Sequence, residues 1–407
     1  MGPSGDASVL IGGGVNMGQT GDMFSSSHSA AESFAQVIPG QKPYGALYIH
    51  VPFCKQRCLY CDFATQAIDH ESPELRAYTD NMILAIRRAG RTGLLGSLRT
   101  VYIGGGTPSF LGQKYLTELL YTLSLSMHLT EDVECTLEAN PDSLDERLVR
   151  DLWALGVNRL SIGVQSFNDD ELQALGRIHS AQQARDAISA AKERFANVSL
   201  DLMCGIPKQT LESFRASLEE AIALGVSHVS VYPLTIEDGT PFEAKVQSGE
   251  LADTDPDFQA DCMELAAEVL EAAGMQRYEV ASYARPGFEC RHNIAYWTGV
   301  PYLGLGEGAV SMAHNANERV RFDAGGEVLD RLNASEMLAE DLMLGMRMTQ
   351  GIGPELVSAA RTTFARFDNV CGELVERKLA RWEGERFVPT TRGWLCGNEL
   401  FGAFLDL

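Results

Sequence analysis

The sequence predicts an α/β fold: a parallel sheet of six strands with a small, mainly helical domain after it. Two observations support this prediction. Short apolar segments alternate with helical periodicity six times between residues 46 and 273, and the pattern changes near residue 330. The 407 residues, of which 45% are hydrophobic, are enough for a large core and more than one domain.

Each predicted strand is followed by a predicted helix, as in a parallel sheet with right-handed crossovers. The predicted strands are 46–50, 100–103, 133–137, 159–164, 198–203 and 228–233. The first helix, 73–89, has clear start signals, because Ser72 can serve as its N-cap and Pro73 as its first residue. Six such units are two short of a closed eightfold barrel.

The flanking regions have other compositions. Residues 1–40 are rich in Gly, Ser, Ala and Met, so we expect a disordered leader. Residues 41–285 would form the sheet and its helices, and 286–329 would hold a short motif segment and connecting loops. Residues 330–407 read as helices with one possible strand at 386–389, which resembles a winged helix but lacks a basic, DNA-binding face.

Composition excludes several classes of protein. The formal net charge of −22 disfavours binding to nucleic acid or to anionic membranes. No apolar run reaches the roughly 18 residues of a membrane-spanning helix. Residues 1–41 contain no Lys or Arg, so no signal peptide is expected, and nine cysteines do not indicate a disulfide scaffold. We therefore expect a cytoplasmic protein.

Three cysteines directly after the first strand carry the strongest chemical signal. Cys54, Cys58 and Cys61 have the spacing C-x3-C-x2-C. A cubane 4Fe-4S cluster is usually held by four thiolates, so three would leave one iron open to a small molecule. Structural zinc prefers four ligands, and a disulfide between such close cysteines would be unusual.

This spacing after an apolar strand resembles that of the radical S-adenosylmethionine (SAM) enzymes. The resemblance implies an open (β/α)6 partial barrel. It also implies that SAM binds the open iron through its amino and carboxylate groups, and that an electron from the cluster cleaves SAM to a 5′-deoxyadenosyl radical.

Polar residues at the ends of the predicted strands are candidates for binding SAM, because chemistry in parallel barrels lies at the carboxyl ends of strands. The glycine strip, defined as Gly104, Gly105 and Gly106, follows the second strand and precedes Thr107. Glycines let the backbone approach a ligand closely. The resemblance implies that this strip binds the methionine part of SAM, with the alternative of an ordinary tight turn.

Four more polar residues belong to this set. They are Glu138, Gln165, Arg177 and Asp201. A carboxylate inside a buried strand, as at Asp201, is costly unless it is paired. Arg177 would suit the SAM carboxylate, and the others its ribose or ammonium group. A structural ion pair between Arg177 and Asp201 is the alternative.

The order of these motifs, with Tyr48 six residues before the first cysteine, is similar to the oxygen-independent coproporphyrinogen III oxidase group. That group has a decarboxylating branch (HemN) and a haem-chaperone branch (HemW). The decarboxylating branch has a further cysteine where this chain has Phe63, and the chaperone branch carries H-N-x-x-Y-W, present here from His292 to Trp297. Both signs favour the chaperone branch.

The resemblance to the chaperone branch implies haem binding near this motif. Its candidate residues are His292, Asn293, Tyr296 and Trp297. Imidazole can ligate haem iron, and flat aromatic rings can pack on a porphyrin. Cys290 and His314 are rival ligands. The alternative is a hydrogen-bonded structural corner. The segment from Pro301 to Ser311 resembles a family loop that lies over the adenosine.

We therefore expect a SAM-dependent iron–sulfur protein that binds haem and passes it to an acceptor protein. The resemblance also implies an electron donor such as flavodoxin or ferredoxin. The main alternative is radical decarboxylation of coproporphyrinogen III to protoporphyrinogen IX, which Phe63 disfavours. Whether the chain is an enzyme stays open at this point, because the sequence does not say whether SAM is cleaved.

Overall fold

A twelve-stranded sheet organises the chain in a computed structural model that describes residues 38–407. Residues 1–37 of the predicted disordered leader lie outside the described residues. The strands of this sheet, with the short strand pair β2–β3, are β1 (Tyr44–Val51), β2 (Phe53–Cys54), β3 (Gln66–Ala67), β4 (Leu95–Gly105), β5 (Leu129–Ala139), β6 (Arg159–Gln165), β7 (Asn197–Cys204), β8 (His228–Pro233), β9 (Gln276–Arg277), β10 (Ser282–Ala284), β11 (Tyr302–Leu305), β12 (Val310–His314), β13 (Glu318–Asp323) and β14 (Val328–Asn333).

The helices that cross over between the strands form the outer layer. They are α1 (Pro73–Arg91), α2 (Gly112–Ser126), α3 (Glu146–Ala154), α4 (Asp169–Ala174), α5 (Ala181–Lys192), α6 (Leu211–Ala223), α7 (Pro241–Gln247) and α8 (Pro256–Ala272). The Ser72 side chain accepts a hydrogen bond from the backbone N–H of Glu74 at 3.3 Å, so the predicted N-cap is confirmed. None of the helices in residues 38–407 is long and apolar enough to span a membrane.

The six predicted strands are confirmed as a parallel set. They lie side by side in the order β1, β4, β5, β6, β7, β8, which is the order of the chain. Sequential order in a parallel sheet follows from right-handed crossovers that all pass over one face. The carboxyl ends of all six strands therefore meet at one edge of the sheet.

The prediction of connecting loops at 286–329 is wrong. The segment contains helix α9 (Arg291–Trp297) and strands β11, β12 and β13. Strand β11 pairs in parallel with β1, and β12, β13 and β14 continue the sheet as antiparallel strands. The added strands cover the backbone groups of β1, which would otherwise be an open edge.

The two faces of the parallel sheet differ in chemistry. The side chains that face the helices are apolar and form the main core, for example Val101, Leu137 and Leu200. Because side chains alternate along a strand, the intervening residues face the inside of the partial barrel. Those residues are largely polar and still buried, as Thr100, Glu134 and Arg159 show.

The C-terminal region has a second apolar core of its own. It contains α10 (Ala334–Gly345), α11 (Pro354–Thr363), α12 (Phe367–Glu376), the hairpin of β15 (Ala380–Glu383) and β16 (Arg386–Pro389), α13 (Thr391–Leu395) and α14 (Gly397–Leu405). The helices and one hairpin fit the predicted small, mainly helical, winged-helix-like unit. The strand predicted at 386–389 is present, and its partner β15 was not predicted.

Candidate cluster and cofactor site

The three cysteines lie on the loop that begins as β1 ends. All three are half-buried and none forms a disulfide. Burial raises the pKa of the Cys54 thiol to about 11, and it also raises the pKa of Cys61. Two donors reach the sulfurs: Thr107 Oγ1 lies 3.5 Å from Cys54 Sγ, and an Arg177 NH group lies 3.4 Å from Cys58 Sγ.

The surroundings of the three sulfurs suit a negatively charged cluster. Within residues 38–407, no three His, Cys, Asp or Glu side chains are grouped closely enough to hold one metal ion. In a cubane each thiolate binds a different iron, so its ligands can stand farther apart. Donors to ligand sulfurs and a nearby guanidinium also stabilise a negatively charged cluster.

The glycine strip packs directly against the cysteine loop. A Cβ atom on Gly106 would lie 2.7 Å from the carbonyl oxygen of Phe53 and 3.0 Å from Cys54 Sγ. Gly105 has a φ of +115°, and a Cβ there would lie 2.7 Å from the His50 ring. Both positions therefore require glycine, and the strip is more than an ordinary tight turn.

Glu138 joins the strip to the sheet. The Gly105 N–H donates to Glu138 Oε2 at 3.0 Å, and the Tyr102 hydroxyl donates to Oε1 at 2.6 Å. Burial raises the pKa of Glu138 to about 7, and the negative charge of Asp201 adds to this effect. These hydrogen bonds lower the pKa and only partly offset burial. The protonated form of this carboxyl is therefore more favoured than in a free glutamic acid.

The Arg177 guanidinium contacts several residues next to the cysteine loop. Besides Cys58, its guanidinium donates to Asn140 Oδ1 at 2.8 Å and to the Gly163 carbonyl at 2.7 Å. The Asn140 amide in turn donates to Thr107 Oγ1 at 2.9 Å. The Arg177 Nε is buried and has no hydrogen-bond partner. One donor of this side chain is thus left for a ligand.

The ion pair between Arg177 and Asp201, given above as an alternative, is not formed between these two described residues. Asp201 lies on the inner face of β7, where Ser161 Oγ donates to it at 3.4 Å. Burial raises the pKa of Asp201 to about 6, while Arg159 opposes the rise. Asp201 is therefore a half-buried carboxyl that is paired with the hydroxyls of Ser161 and Ser230 and not with Arg177.

Gln165 ends β6 in a left-handed conformation, with a φ of +67°. Non-glycine residues rarely adopt this conformation, and it is often found at functional sites. Tyr48 lies further along the inner face, where its hydroxyl is 3.0 Å from His50 Nδ1. The structure thus brings Gln165, Tyr48, the strip, Glu138, Arg177 and Asp201 to one end and one face of the sheet.

Sequence reasoning missed four residues of this site. They are His50, Tyr102, Asn140 and Arg159. The alternation of polar and apolar residues in β4, β5 and β6 is the signal that would have found Tyr102 and Arg159. A small pocket lies beside Cys58, Asn140 and Arg177.

The H-N-x-x-Y-W motif forms helix α9, and its residues face different surroundings. His292 is 3% exposed, its Nδ1 lies 2.9 Å from Thr100 Oγ1, and its Nε2 has no partner. Burial, with the charge of Arg159, lowers the pKa of His292 to about 3, so the imidazole is neutral. Trp297 belongs to the C-terminal core, where the Arg347 guanidinium lies 5.0 Å from its ring. Asn293 and Tyr296 are partly buried.

The rival haem ligands are also enclosed. Cys290 is 1% exposed, and its sulfur lies 3.7 Å from Glu134 Oε1. His314 is buried, with its Nδ1 3.2 Å from the carbonyl of Asn315. In this conformation, therefore, none of the three named ligands is open to solvent.

Comparison with known proteins agrees with this geometry. The sequence model of the radical SAM superfamily matches residues 48–221, which contain the cysteine loop and the strip. Coproporphyrinogen III oxidase (HemN) from Escherichia coli has a similar structure, with a TM-score of 0.74 and 20% identity over 92% of each chain. Fold and site together define a radical SAM protein, a class that binds a 4Fe-4S cluster and SAM.

Comparison with curated relatives shows which family of radical SAM proteins the chain resembles. The chain is 36% identical over 358 residues to heme chaperone HemW of Synechocystis, covering 84% of this chain and 87% of that protein. It is 34% identical over 377 residues to heme chaperone HemW of Bacillus subtilis, covering 88% and 98%. It is 40% identical over 267 residues to heme chaperone HemW of Escherichia coli, covering 65% and 69%. The chain belongs to the HemW family.

Proposed function

We propose that this protein is a haem chaperone, which binds haem and transfers it to an acceptor protein. The observation that carries this proposal is the identity of 34–36% to two proteins named heme chaperone HemW, over 84% or more of the chain. The matched region includes the barrel and reaches beyond it. The acceptor protein, and the reductant that the cluster would need, are the partners that this function requires.

Cys54, Cys58 and Cys61 would hold the cluster, and SAM would take the open iron. When bound, this pair supplies one-electron chemistry at the SAM sulfonium. The chain's own residues position it. The free donor of Arg177 would bind the SAM carboxylate, since guanidinium pairs well with carboxylates. The backbone groups of Gly105, Gly106 and Thr107 would line the methionine part.

Four further side chains would hold the rest of SAM. Glu138 and Asp201 would accept from its ammonium or ribose hydroxyls, and Gln165 and Tyr48 would close the same surface. Both carboxyls are half-buried and burial raises the pKa of each, so a ligand that donates hydrogen bonds would stabilise their charged forms.

Radical decarboxylation of coproporphyrinogen III is the alternative that an assay must exclude. Phe63, which is 44% exposed, stands where the decarboxylating branch has a fourth cysteine. Its ring offers no thiolate. We expect anaerobic incubation of the cluster-loaded protein with SAM, reductant and coproporphyrinogen III to give no protoporphyrinogen IX.

Haem would bind at α9, with His292 as its ligand. Because the His292 Nε2 is enclosed by the sheet, the helix must leave this position before iron can reach it. Tyr296 and Trp297 would then contribute aromatic surface to the porphyrin.

Haem titration of the anaerobically purified, cluster-loaded protein tests this proposal. We expect a saturable Soret shift, and transfer of the bound haem to apo-myoglobin as a model acceptor. His292→Ala should weaken binding at least tenfold, whereas His128→Ala, at an exposed position outside α9, should not change it. Absence of a saturable shift in the wild type would reject the haem chaperone function. An unchanged affinity in His292→Ala, with the helical content of the protein intact, would reject His292 as the ligand.

A further inference from the structure

Helix α9 is held on the inner face of the sheet by two neighbouring strands. The N–H groups of Arg291 and His292 each donate to a carboxylate oxygen of Glu134 on β5, at 3.0 Å. Thr100, which pairs with Glu134 across β4 and β5, lies 2.9 Å from His292 Nδ1. The position of His292 is therefore fixed by the sheet rather than by α9 alone.

Tyr102 lies between this helix and the glycine strip. Its ring stacks on the His292 imidazole, with a centroid distance of 5.0 Å and an interplanar angle of 27°. Its hydroxyl donates to Glu138 Oε1 at 2.6 Å, and the other oxygen of Glu138 holds the Gly105 N–H. One side chain thus contacts both the carboxyl at the strip and the imidazole of the motif.

The docked position of α9 leaves two described side-chain atoms buried without a hydrogen-bond partner, His292 Nε2 and Trp297 Nε1. His292 Nε2 is buried and makes no hydrogen bond in the described structure. A buried polar atom without a partner is unfavourable, so this position depends on the contacts around it. The stacked Tyr102 ring is one of those contacts, and it is held by its hydroxyl bond to Glu138 and by a second stacking contact with Tyr48, at a centroid distance of 6.2 Å.

We infer that Tyr102 is a positioning residue that couples occupancy of the glycine strip to release of α9. A ligand whose ammonium or hydroxyl groups engage Glu138 draws this carboxyl away from the Tyr102 hydroxyl. The tyrosine then loses its hydroxyl bond to Glu138, and the stacking on His292 weakens. Binding of SAM at the strip therefore favours the state in which His292 is free to bind haem. The haem part of this inference rests on the proposed haem binding, and the helix part rests only on the proposed contact of SAM with Glu138.

Coupling between two sites is reciprocal and can be measured at either one. We expect SAM to lower the haem Kd of the cluster-loaded protein at least fivefold, a modest value for coupled sites. In Tyr102→Phe the ring remains but the bond to Glu138 is lost. This variant should bind haem without SAM as tightly as the wild type does with SAM, and SAM should change its affinity by less than about twofold.

Hydrogen exchange of the α9 amides, for example those of Ile294 and Thr298, gives a readout without haem. SAM should speed their exchange in the wild type and leave it unchanged in Tyr102→Phe, where it is already fast. Tyr283→Phe is the matched control, because Tyr283 is buried and its hydroxyl has no partner, and this variant should respond to SAM as the wild type does.

The haem titration and the hydrogen-exchange measurement distinguish an error in the coupling through Tyr102 from an error in the proposed function. If exchange in α9 does not respond to SAM, or responds equally in Tyr102→Phe, the coupling through Tyr102 is wrong whether or not haem binds. If exchange responds as expected but no haem binds to the wild type, the coupling stands and the proposed function fails.

Discussion

The Arg177 guanidinium lies 3.4 Å from the sulfur of Cys58, although the two residues are 119 positions apart in the sequence. The same guanidinium holds Asn140 and the carbonyl of Gly163. A charged, forked donor therefore connects the cysteine loop to the ends of β5 and β6. This contact makes the cysteine loop part of the barrel rather than an appended segment.

Replacing Arg177 tests this connection. Lysine keeps the charge but is a single ammonium, without the planar fork of donors by which Arg177 reaches Cys58, Asn140 and Gly163 together. We expect Arg177→Lys to raise the Kd for SAM of the cluster-loaded protein about tenfold or more, because hydrogen bonds to charged groups contribute about 1.5–3 kcal/mol. Calorimetric titration measures the Kd. Arg215→Lys, in an exposed pair with Glu268, is the control, and an equal effect there would contradict the assignment.

Gly105→Ala tests the packing of the glycine strip. The left-handed backbone and the contact with the His50 ring both oppose a Cβ at this position. We expect the free energy of unfolding in urea to fall by about 2–4 kcal/mol. Gly112→Ala has a similar backbone strain, with a φ of +73°, but nothing lies within 4 Å of its Cβ. It should lose only about 1–2 kcal/mol, and equal losses would show that the ring contact is unimportant.

The raised pKa of Glu138 predicts that the free energy of unfolding depends on pH. Its pKa is about 7 in the folded protein and near 4.5 in the unfolded chain, so the folded state binds more protons between these values. Its contribution is therefore fully present below about pH 4.5 and is lost as pH rises through 7, a change of about 3 kcal/mol.

Glu138→Gln should remove this contribution to the pH dependence of the free energy of unfolding. The stability of the variant relative to wild type should rise by about 3 kcal/mol between roughly pH 4.5 and pH 8. Urea unfolding of the cluster-free protein at both ends of this range measures the difference. A constant difference between the two proteins would show that the carboxyl titrates near its usual pKa when folded.

A buried ionic group links β13 to the C-terminal helix α10. Arg319, 2% exposed, contacts both Glu340 and Asp341, and Arg321 donates to Glu340 at 2.6 Å. Arg319→Met removes the cation of Asp341 and leaves the buried Glu340 with Arg321 alone, so we expect a loss of about 3 kcal/mol.

The control for this variant is Arg331→Met, which breaks the half-exposed pair with Glu318. An exposed pair contributes about 0–1 kcal/mol, so the control should change stability little. Urea unfolding measures both variants. Similar values for the two would mean that the buried group does not join the β13 edge to α10.

Much of the proposed cluster and SAM site could be predicted from the sequence, because the patterns that indicate it lie within short segments. The cysteine spacing, the glycine strip and the residue after each strand are readable in short segments, and parallel topology places strand ends together. Asn140 was missed although it follows Glu138 by two residues, because an amide in a loop has many ordinary roles.

The position of α9 could not be predicted. Its seven residues form a helix that buries His292 against β4 and Trp297 in the C-terminal core. The strands β11–β13 were likewise missed, because short apolar segments near glycines resemble loops until β1 provides an edge to pair with. Both outcomes depend on contacts between residues far apart in the sequence.

The sequence by itself determined the six parallel strands, the cysteine loop and the family to which the chain belongs, because periodicity and spacing act over a few residues. Only the tertiary structure decided that Tyr102 touches both Glu138 and His292, and that the imidazole is enclosed. Such contacts arise where separate strands and a helix converge, and the burial that results sets which groups are charged, paired or free.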